Sequence, residues 1–182
     1  MKFINTSIPE ILLIEPQVYK DERGFFMETF RSDVFKSAGI NVEFVQDNHS
    51  RSKFHSLRGL HYQIKHPQAK LVRVVAGEIF DVAVDLRQES ETLGKWTGAY
   101  LSSDNKLQMF IPQGFAHGFY VLSDWAEVVY KASDYYAPQW ERTLLWNDPQ
   151  VNIDWPLQRG TDPLVSVKDA LGTTLDNADL FV

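Results

Sequence analysis

Leu71-Val72-Arg73-Val74-Val75-Ala76-Gly77-Glu78-Ile79-Phe80-Asp81-Val82-Ala83-Val84-Asp85-Leu86 is the stretch that decides the fold class. Its second half alternates. Phe80, Val82, Val84 and Leu86 share one face while Asp81 and Asp85 take the other, the period-two pattern of a strand with one face in a core. Side chains branched at Cβ suit an extended backbone. Gly77-Glu78 interrupts the run and predicts a turn between two strands. Further strands are predicted at Glu10–Val18, Val42–Gln46, Trp96–Leu101, Gln108–Ile111, Phe119–Val121 and Glu127–Ala132. Turn-formers separate them, at Asp21-Glu22-Arg23-Gly24, Ser102-Ser103-Asp104-Asn105, Pro112-Gln113-Gly114 and Ser123-Asp124. Residues 32–39 predict a short helix with a serine or aspartate cap and a glycine stop, and the polar stretch after Trp155-Pro156 has room for another. Many short strands at close spacing predict an all-β sandwich or barrel, as one domain over residues 1–182 with no repeat and no linker.

The chain has 182 residues, long enough to bury a core without a covalent staple, and it has no cysteine. Hydrophobic residues make up 44% and charged residues 23%, which excludes a disordered polymer. A net charge of −6 argues against a broad nucleic-acid or anionic-membrane surface. No apolar run approaches a membrane span and the first residues do not read as a targeting segment, so a cytoplasmic location is expected. Aromatic residues at 13% fit either a thick β core or a pocket for a ring-shaped ligand.

Pro112-Gln113-Gly114-Phe115-Ala116-His117-Gly118-Phe119 has the spacing of the second cupin motif, with a tight corner and a histidine at the next strand. The matching first motif is Leu57-Arg58-Gly59-Leu60-His61-Tyr62-Gln63, in which Gln63 stands where a metal-binding cupin has its second histidine. Glutamine is a poor metal ligand and Lys65 lies close by, so no metal is expected. His61 is the general-base candidate, because imidazole titrates nearest neutrality, and Arg58 beside it suits a site that holds an anion. Arg23, Arg58, Lys70 and Lys168 offer local positive charge in an acidic protein. Tyr130 shares a strand face with Val128 and so can point into a barrel, as a general acid or as a core phenol.

Eight motifs then follow one order: Asp21–Glu28, Gln46–Ser50, Leu57–Gln63, Lys70–Arg73, Ile111–Phe119, Tyr130–Tyr136, Leu145–Pro149 and Ser166–Asp169. Together they resemble the dTDP-4-dehydrorhamnose 3,5-epimerase family across nearly the whole chain. The resemblance implies a cupin-like jelly-roll β-barrel with short helices near the termini, acting as a homodimer without metal or cofactor. It implies dTDP-4-dehydro-6-deoxy-D-glucose as substrate and dTDP-4-dehydro-β-L-rhamnose as product. Position by position, it implies His61 as proton acceptor, Asp169 as the partner that orients it, Tyr130 as proton donor and Lys70 at the enolate oxygen. It implies Arg23, Glu28, Gln46, Asn48, Arg58, His117, Glu141 and Lys168 around the nucleotide and its diphosphate, with Tyr136 stacked on thymine. Phe54-His55 departs from the resemblance, standing where the family often has glycine, and the tail after Asp169 follows no family pattern. Other readings on the same residues are a 5-epimerase, a 3-epimerase or a 3,4-ketoisomerase on a related dTDP-4-keto sugar, a metal-dependent cupin oxygenase, and a non-catalytic sugar-nucleotide binder.

Overall fold

The computed structural model describes residues 1–158 and 160–182. Among these, the strands are β1 (Lys2–Asn5), β2 (Leu12–Glu15), β3 (Val18–Asp21), β4 (Gly24–Met27), β5 (Gln46–Lys53), β6 (Leu57–Gln63) and β7 (Lys70–Ala76). They continue with β8 (Glu78–Asp85), β9 (Trp96–Ser102), β10 (Gln108–Ile111), β11 (Phe115–Val121), β12 (Trp125–Ala132) and β13 (Glu141–Thr143). Two short α-helices, α1 (Ser32–Ser37) and α2 (Val167–Ala170), and two 3-10 turns, Pro138–Trp140 and Leu175–Asn177, lie between and after them. One sheet has the order β1-β2-β10-β7-β12-β5, a second has β13-β6-β11-β8-β9, and β3-β4 stand apart as a hairpin. The architecture is the all-β, cupin-like jelly roll. The two large sheets face each other without being joined by hydrogen bonds into one closed ring.

Gly77 lies at a sheet-to-sheet corner. The expected turn is present, but β7 and β8 are not hairpin partners: β7 pairs with β10 and β12, whereas β8 pairs with β11 and β9. Gly77 has φ of 77°, and a Cβ there would lie 2.2 Å from the Trp125 carbonyl oxygen, so the crossing requires glycine. The acidic face of β8 also differs from expectation. Ile79 and Ala83 belong to the core between the sheets, so Asp81 and Asp85 on the same face point inward and are 0% exposed. Phe80, Val82, Val84 and Leu86 instead pack outward, under a second apolar layer that includes Trp155, Leu175 and Phe181 from the C-terminal segment. A third cluster, with Phe35, Phe30, Phe44 and Leu71, covers the outside of the six-stranded sheet. Each large apolar side chain buried in these layers contributes about 1.5–3 kcal/mol.

Local differences have local causes. The run Glu10–Val18 divides into β2 and β3 around Pro16, which has no N–H for a ladder. Val42–Gln46 forms no strand, and the chain turns extended only at Gln46, in the polar β5. The strand expected from Phe119 begins at Phe115. In α1 the N-cap is Arg31, whose guanidinium can only donate and so makes no cap bond; it binds Asp33 at 2.7 and 2.9 Å instead. The glycine stop is present at Gly39, with φ of 86°.

Candidate active site

Strand register explains how β6 turns two residues three apart toward one interior. His117 on β11 faces His61, and Phe119, two residues on, faces Arg58. Two residues against three is a bulge, at Gly59-Leu60, and it puts Arg58 and His61 on the same inward face. The bulge is built from glycine on both strands. A Cβ on Gly59 would lie 2.6 Å from the Gly118 Cα, and one on Gly118 would lie 2.6 Å from the Arg58 carbonyl oxygen.

The C-terminal segment brings a carboxylate to this face. Leu57 N–H donates to the Leu164 carbonyl at 2.9 Å and Thr173 N–H to the Thr143 carbonyl at 2.9 Å, which fixes the segment on both sides of α2. Ser166 caps α2, its Oγ accepting from Asp169 N–H at 3.1 Å. Asp169 is 3% exposed; its Oδ1 accepts from His61 Nε2 at 2.6 Å and its Oδ2 from Gly59 N–H at 3.2 Å. With Nε2–H committed to Asp169, His61 Nδ1 carries the lone pair. Burial pushes the Asp169 carboxyl up, but the hydrogen bond and charge of His61 and the Gly59 N–H outweigh it and hold it below the usual range.

The facing sheet contributes Lys70 and Tyr130. Lys70 shares the inward face of β7 with the core residues Val72 and Val74, and its Nζ lies 3.5 Å from the His61 carbonyl oxygen. Desolvation draws the Lys70 ammonium down to about 8, opposed by the charges of Asp81 and Glu141. Tyr130 packs on the same core as Val128, so the two share a face as expected, and it sits opposite Asn48. Burial, then the nearby Glu141 charge, pushes its phenol up, so it stays protonated at neutral pH.

Around these lies a polar rim. Gln46 Nε2 donates to Asn48 Oδ1 at 3.0 Å and Gln46 Oε1 accepts from Tyr136 N–H at 3.0 Å. Tyr136 Oη donates to Glu141 Oε2 at 2.8 Å, and Glu141 Oε1 receives Lys168 Nζ at 2.6 Å. Arg58 Nε donates to Ser52 Oγ at 2.8 Å. His117 Nε2 donates to Asp81 Oδ1 at 2.7 Å, and burial pushes this imidazole down.

Eleven of the residues singled out from the sequence therefore line or border one interior: His61, Asp169, Lys70, Tyr130, Gln46, Asn48, Arg58, His117, Tyr136, Glu141 and Lys168. Arg23 and Glu28 are not among them. Arg23 sits at the tip of the β3-β4 hairpin, bonded to Asp21 at 2.6 Å, and Glu28 lies 4.0 Å from Arg31. Sequence reasoning missed three contributors. Gln63, weighed only as a failed metal ligand, donates to the His66 and Tyr135 carbonyls and accepts from Ala137 N–H, which fixes the chain on both sides of Tyr136. Ser52 orients Arg58. Asp81 holds His117, and its signal was the alternation itself, once the acidic face is recognised as the inner one.

The sequence profile of the family described as dTDP-4-dehydrorhamnose 3,5-epimerase matches residues 5–177. The chain belongs to the dTDP-4-dehydrorhamnose 3,5-epimerase family. Its relatives in this family include the dTDP-4-dehydrorhamnose 3,5-epimerase of Pseudomonas aeruginosa, 55% identical over 100% of this chain and 99% of the relative. The one from Neisseria gonorrhoeae is 57% identical over 98% of this chain, which spans about half of that relative's length, 54%. The crystal structure of dTDP-6-deoxy-D-glucose-3,5-epimerase from Legionella pneumophila, in complex with dTDP-4-keto-L-rhamnose, is 52% identical. It superposes with a TM-score of 0.95, covering 98% of this chain and 94% of that one. The departure at Phe54-His55 proves local: His55 adopts φ of 63°, a conformation that glycine adopts freely, and is held by Tyr120 Oη at 2.5 Å and Gln158 Oε1 at 2.8 Å. In this epimerase family member, the interior presents an imidazole lone pair, a desolvated ammonium and a protonated phenol together. Those are the groups needed to remove a proton beside a carbonyl, hold the resulting oxyanion and return a proton elsewhere.

Proposed function

We propose that the protein is a dTDP-4-dehydrorhamnose 3,5-epimerase, an isomerase converting dTDP-4-dehydro-6-deoxy-D-glucose to dTDP-4-dehydro-β-L-rhamnose. The observation that carries this reading is the His61–Asp169 pair at 2.6 Å, with Nδ1 left free on the interior that also holds Lys70 and Tyr130. The C4 ketone acidifies the hydrogens on C3 and C5. His61 Nδ1 takes one of them, and Asp169 stabilises the imidazolium that forms. The electron pair moves onto O4, where the Lys70 ammonium meets the enolate charge. Tyr130 returns a proton to the opposite face of that carbon, which inverts it, and solvent then restores both groups before the second centre reacts. Every step uses side-chain acids and bases, so neither metal nor redox cofactor enters the proposal.

Arg58, Lys168 and His117 are proposed to hold the diphosphate end, Gln46, Asn48 and Glu141 the nucleoside, and Tyr136 the thymine face. Arg23 and Glu28 fit a homodimer, in which the hairpin of one protomer reaches the site of the other. Tyr19, Phe25 and Phe26 on that hairpin are 62%, 56% and 70% exposed, and among the described residues β3 and β4 pair only with each other. A single domain working in the cytoplasm, with no nucleic-acid or membrane partner, completes the proposal. No helix among the described residues is long and apolar enough to cross a membrane.

The test is turnover in heavy water, with C3 and C5 followed by NMR. Deuterium at both carbons together with inversion is the expected result. Label at one carbon selects a mono-epimerase, and label at neither overturns the catalytic reading in favour of a binder.

A further inference from the structure

Asp81 is a buried acid that the proposed reaction does not use. It is 0% exposed and stands on the inward face of β8 between Ile79 and Ala83, two residues of the apolar core. A carboxylate in such a wall is costly unless both its oxygens are compensated. Oδ1 is compensated by His117 Nε2 at 2.7 Å. Oδ2 is buried with no hydrogen-bond partner among the described residues. Across the same interior, Lys70 has the complementary deficit, because its ammonium reaches only the His61 carbonyl, at 3.5 Å, and no carboxylate within ion-pair distance among the described residues. The two deficits share a location: His61, whose carbonyl receives Lys70, is paired in register with His117, whose ring is held by Asp81.

We propose that Asp81 is a positioning residue of this site, with one carboxylate oxygen fixing the His117 ring and the other serving as the buried counter-charge that keeps Lys70 an ammonium. The proposal rests on the reading of Lys70 as the group at the enolate oxygen. By accepting Nε2–H from His117, Asp81 also sets that ring's tautomer and leaves Nδ1 as an acceptor toward the interior. The groups facing Lys70 are His61 and Arg58 from β6, Asp81 from β8, His117 from β11, Tyr130 from β12, Glu141 from β13 and Asp169 from α2. Among them Asp81 exerts the largest upward pull on the lysine, ahead of Glu141, against the desolvation that draws it to about 8.

The sign follows. Asp81→Asn keeps the shape and an oxygen for His117 but removes the charge, so Lys70 loses its proton at lower pH. An opposite charge within about 4–6 Å moves a pKa by about 1–3 units, and beyond ion-pair distance the low end, about one unit, applies. The alkaline limb of kcat/KM for dTDP-4-dehydro-6-deoxy-D-glucose, expected near pH 8 in the parent, is therefore expected to move down by about one pH unit in the variant. A one-unit shift lowers activity about fivefold at pH 8 and leaves the two enzymes converging toward pH 6. Binding of dTDP by calorimetry is expected to be retained. An equal loss at every pH, or an unmoved limb, overturns the proposal and leaves Asp81 a structural acid. If the parent enzyme itself has no alkaline limb near pH 8, the Lys70 reading fails first and takes this inference with it.

A thermal cycle keeps the idea testable should Asp81→Asn alone not fold. Lys70→Met leaves Asp81 without a counter-charge, so adding Asp81→Asn to that variant is expected to raise its Tm. A double variant melting at or below Lys70→Met overturns the coupling.

Discussion

Replacing Asp169 with asparagine changes almost no volume and one charge, and the geometry makes its effect calculable. Asp169 accepts from two donors, His61 Nε2–H at 2.6 Å and Gly59 N–H at 3.2 Å, and an asparagine has one oxygen to offer. If that oxygen faces Gly59, the amide NH2 meets His61 and drives its proton to Nδ1, which removes the lone pair proposed to act as base. If the oxygen faces His61, the NH2 opposes Gly59 N–H, and the imidazolium formed during turnover loses its anionic partner. The second arrangement forfeits a hydrogen bond to a charged group, about 1.5–3 kcal/mol, or about 10- to 150-fold in rate. The first adds the cost of the wrong tautomer, which in a serine-protease triad reaches about 10⁴-fold. A fall in kcat of about 10 to 10⁴ is therefore expected, with a stability loss of about 1–3 kcal/mol in the arrangement that leaves the buried Gly59 donor unpaired. The assay is single-turnover inversion followed by NMR, alongside dTDP binding to show that the pocket is intact. A kcat within threefold of the parent, with binding retained, refutes the assignment of His61 and Asp169 as the working pair.

Tyr130→Phe removes the proposed acid and leaves the base, so inversion is expected to slow by about 10² to 10⁴ while hydrogen exchange at the substrate carbons continues; parallel loss of both rules out a one-sided role for the phenol. Gln63→Leu cuts three tethers to the chain flanking Tyr136, and KM is expected to rise more than kcat falls, by up to about 150-fold, since each lost bond contributes about 1 kcal/mol; steady-state kinetics checks this, and a selective fall in kcat contradicts it. Phe25→Asp with Phe26→Asp places charge on the exposed hairpin, which should give a monomer by light scattering and weaken dTDP binding; an active dimer argues that the hairpin lies outside the interface.

The division between what the sequence disclosed and what it concealed follows the way side chains advertise burial. β8 was legible because its apolar residues alternate, yet the same alternation assigned the acids to the wrong surroundings. Composition separates two faces of a strand without saying which is inside when both are covered. β5 left no pattern, since Gln46, Asn48, Ser50 and Ser52 face a polar interior and the intervening residues face outward, so neither side is apolar. Arg58 and His61, three apart, belong on opposite faces of a regular strand, and only the bulge at Gly59-Leu60 aligns them. Gly59 was the available clue, because glycine inside a strand often marks such a kink. Asp169 was found through motif order alone. No periodicity links it to a histidine 108 residues earlier.

That separation has a consequence for how the protein comes to life during synthesis. A ribosome completes every strand of both large sheets before it reads the codon for Asp169, so His61 is made 108 residues ahead of its carboxylate. Meanwhile the outer apolar face of β8, with Phe80 and Val82, stays uncovered until the segment carrying Trp155, Leu175 and Phe181 arrives. One docking event then covers that surface and brings the Asp169 carboxylate to His61 Nε2. A chain trimmed of this segment would therefore show an apolar face to its surroundings and lack the Asp169 carboxylate at the same time.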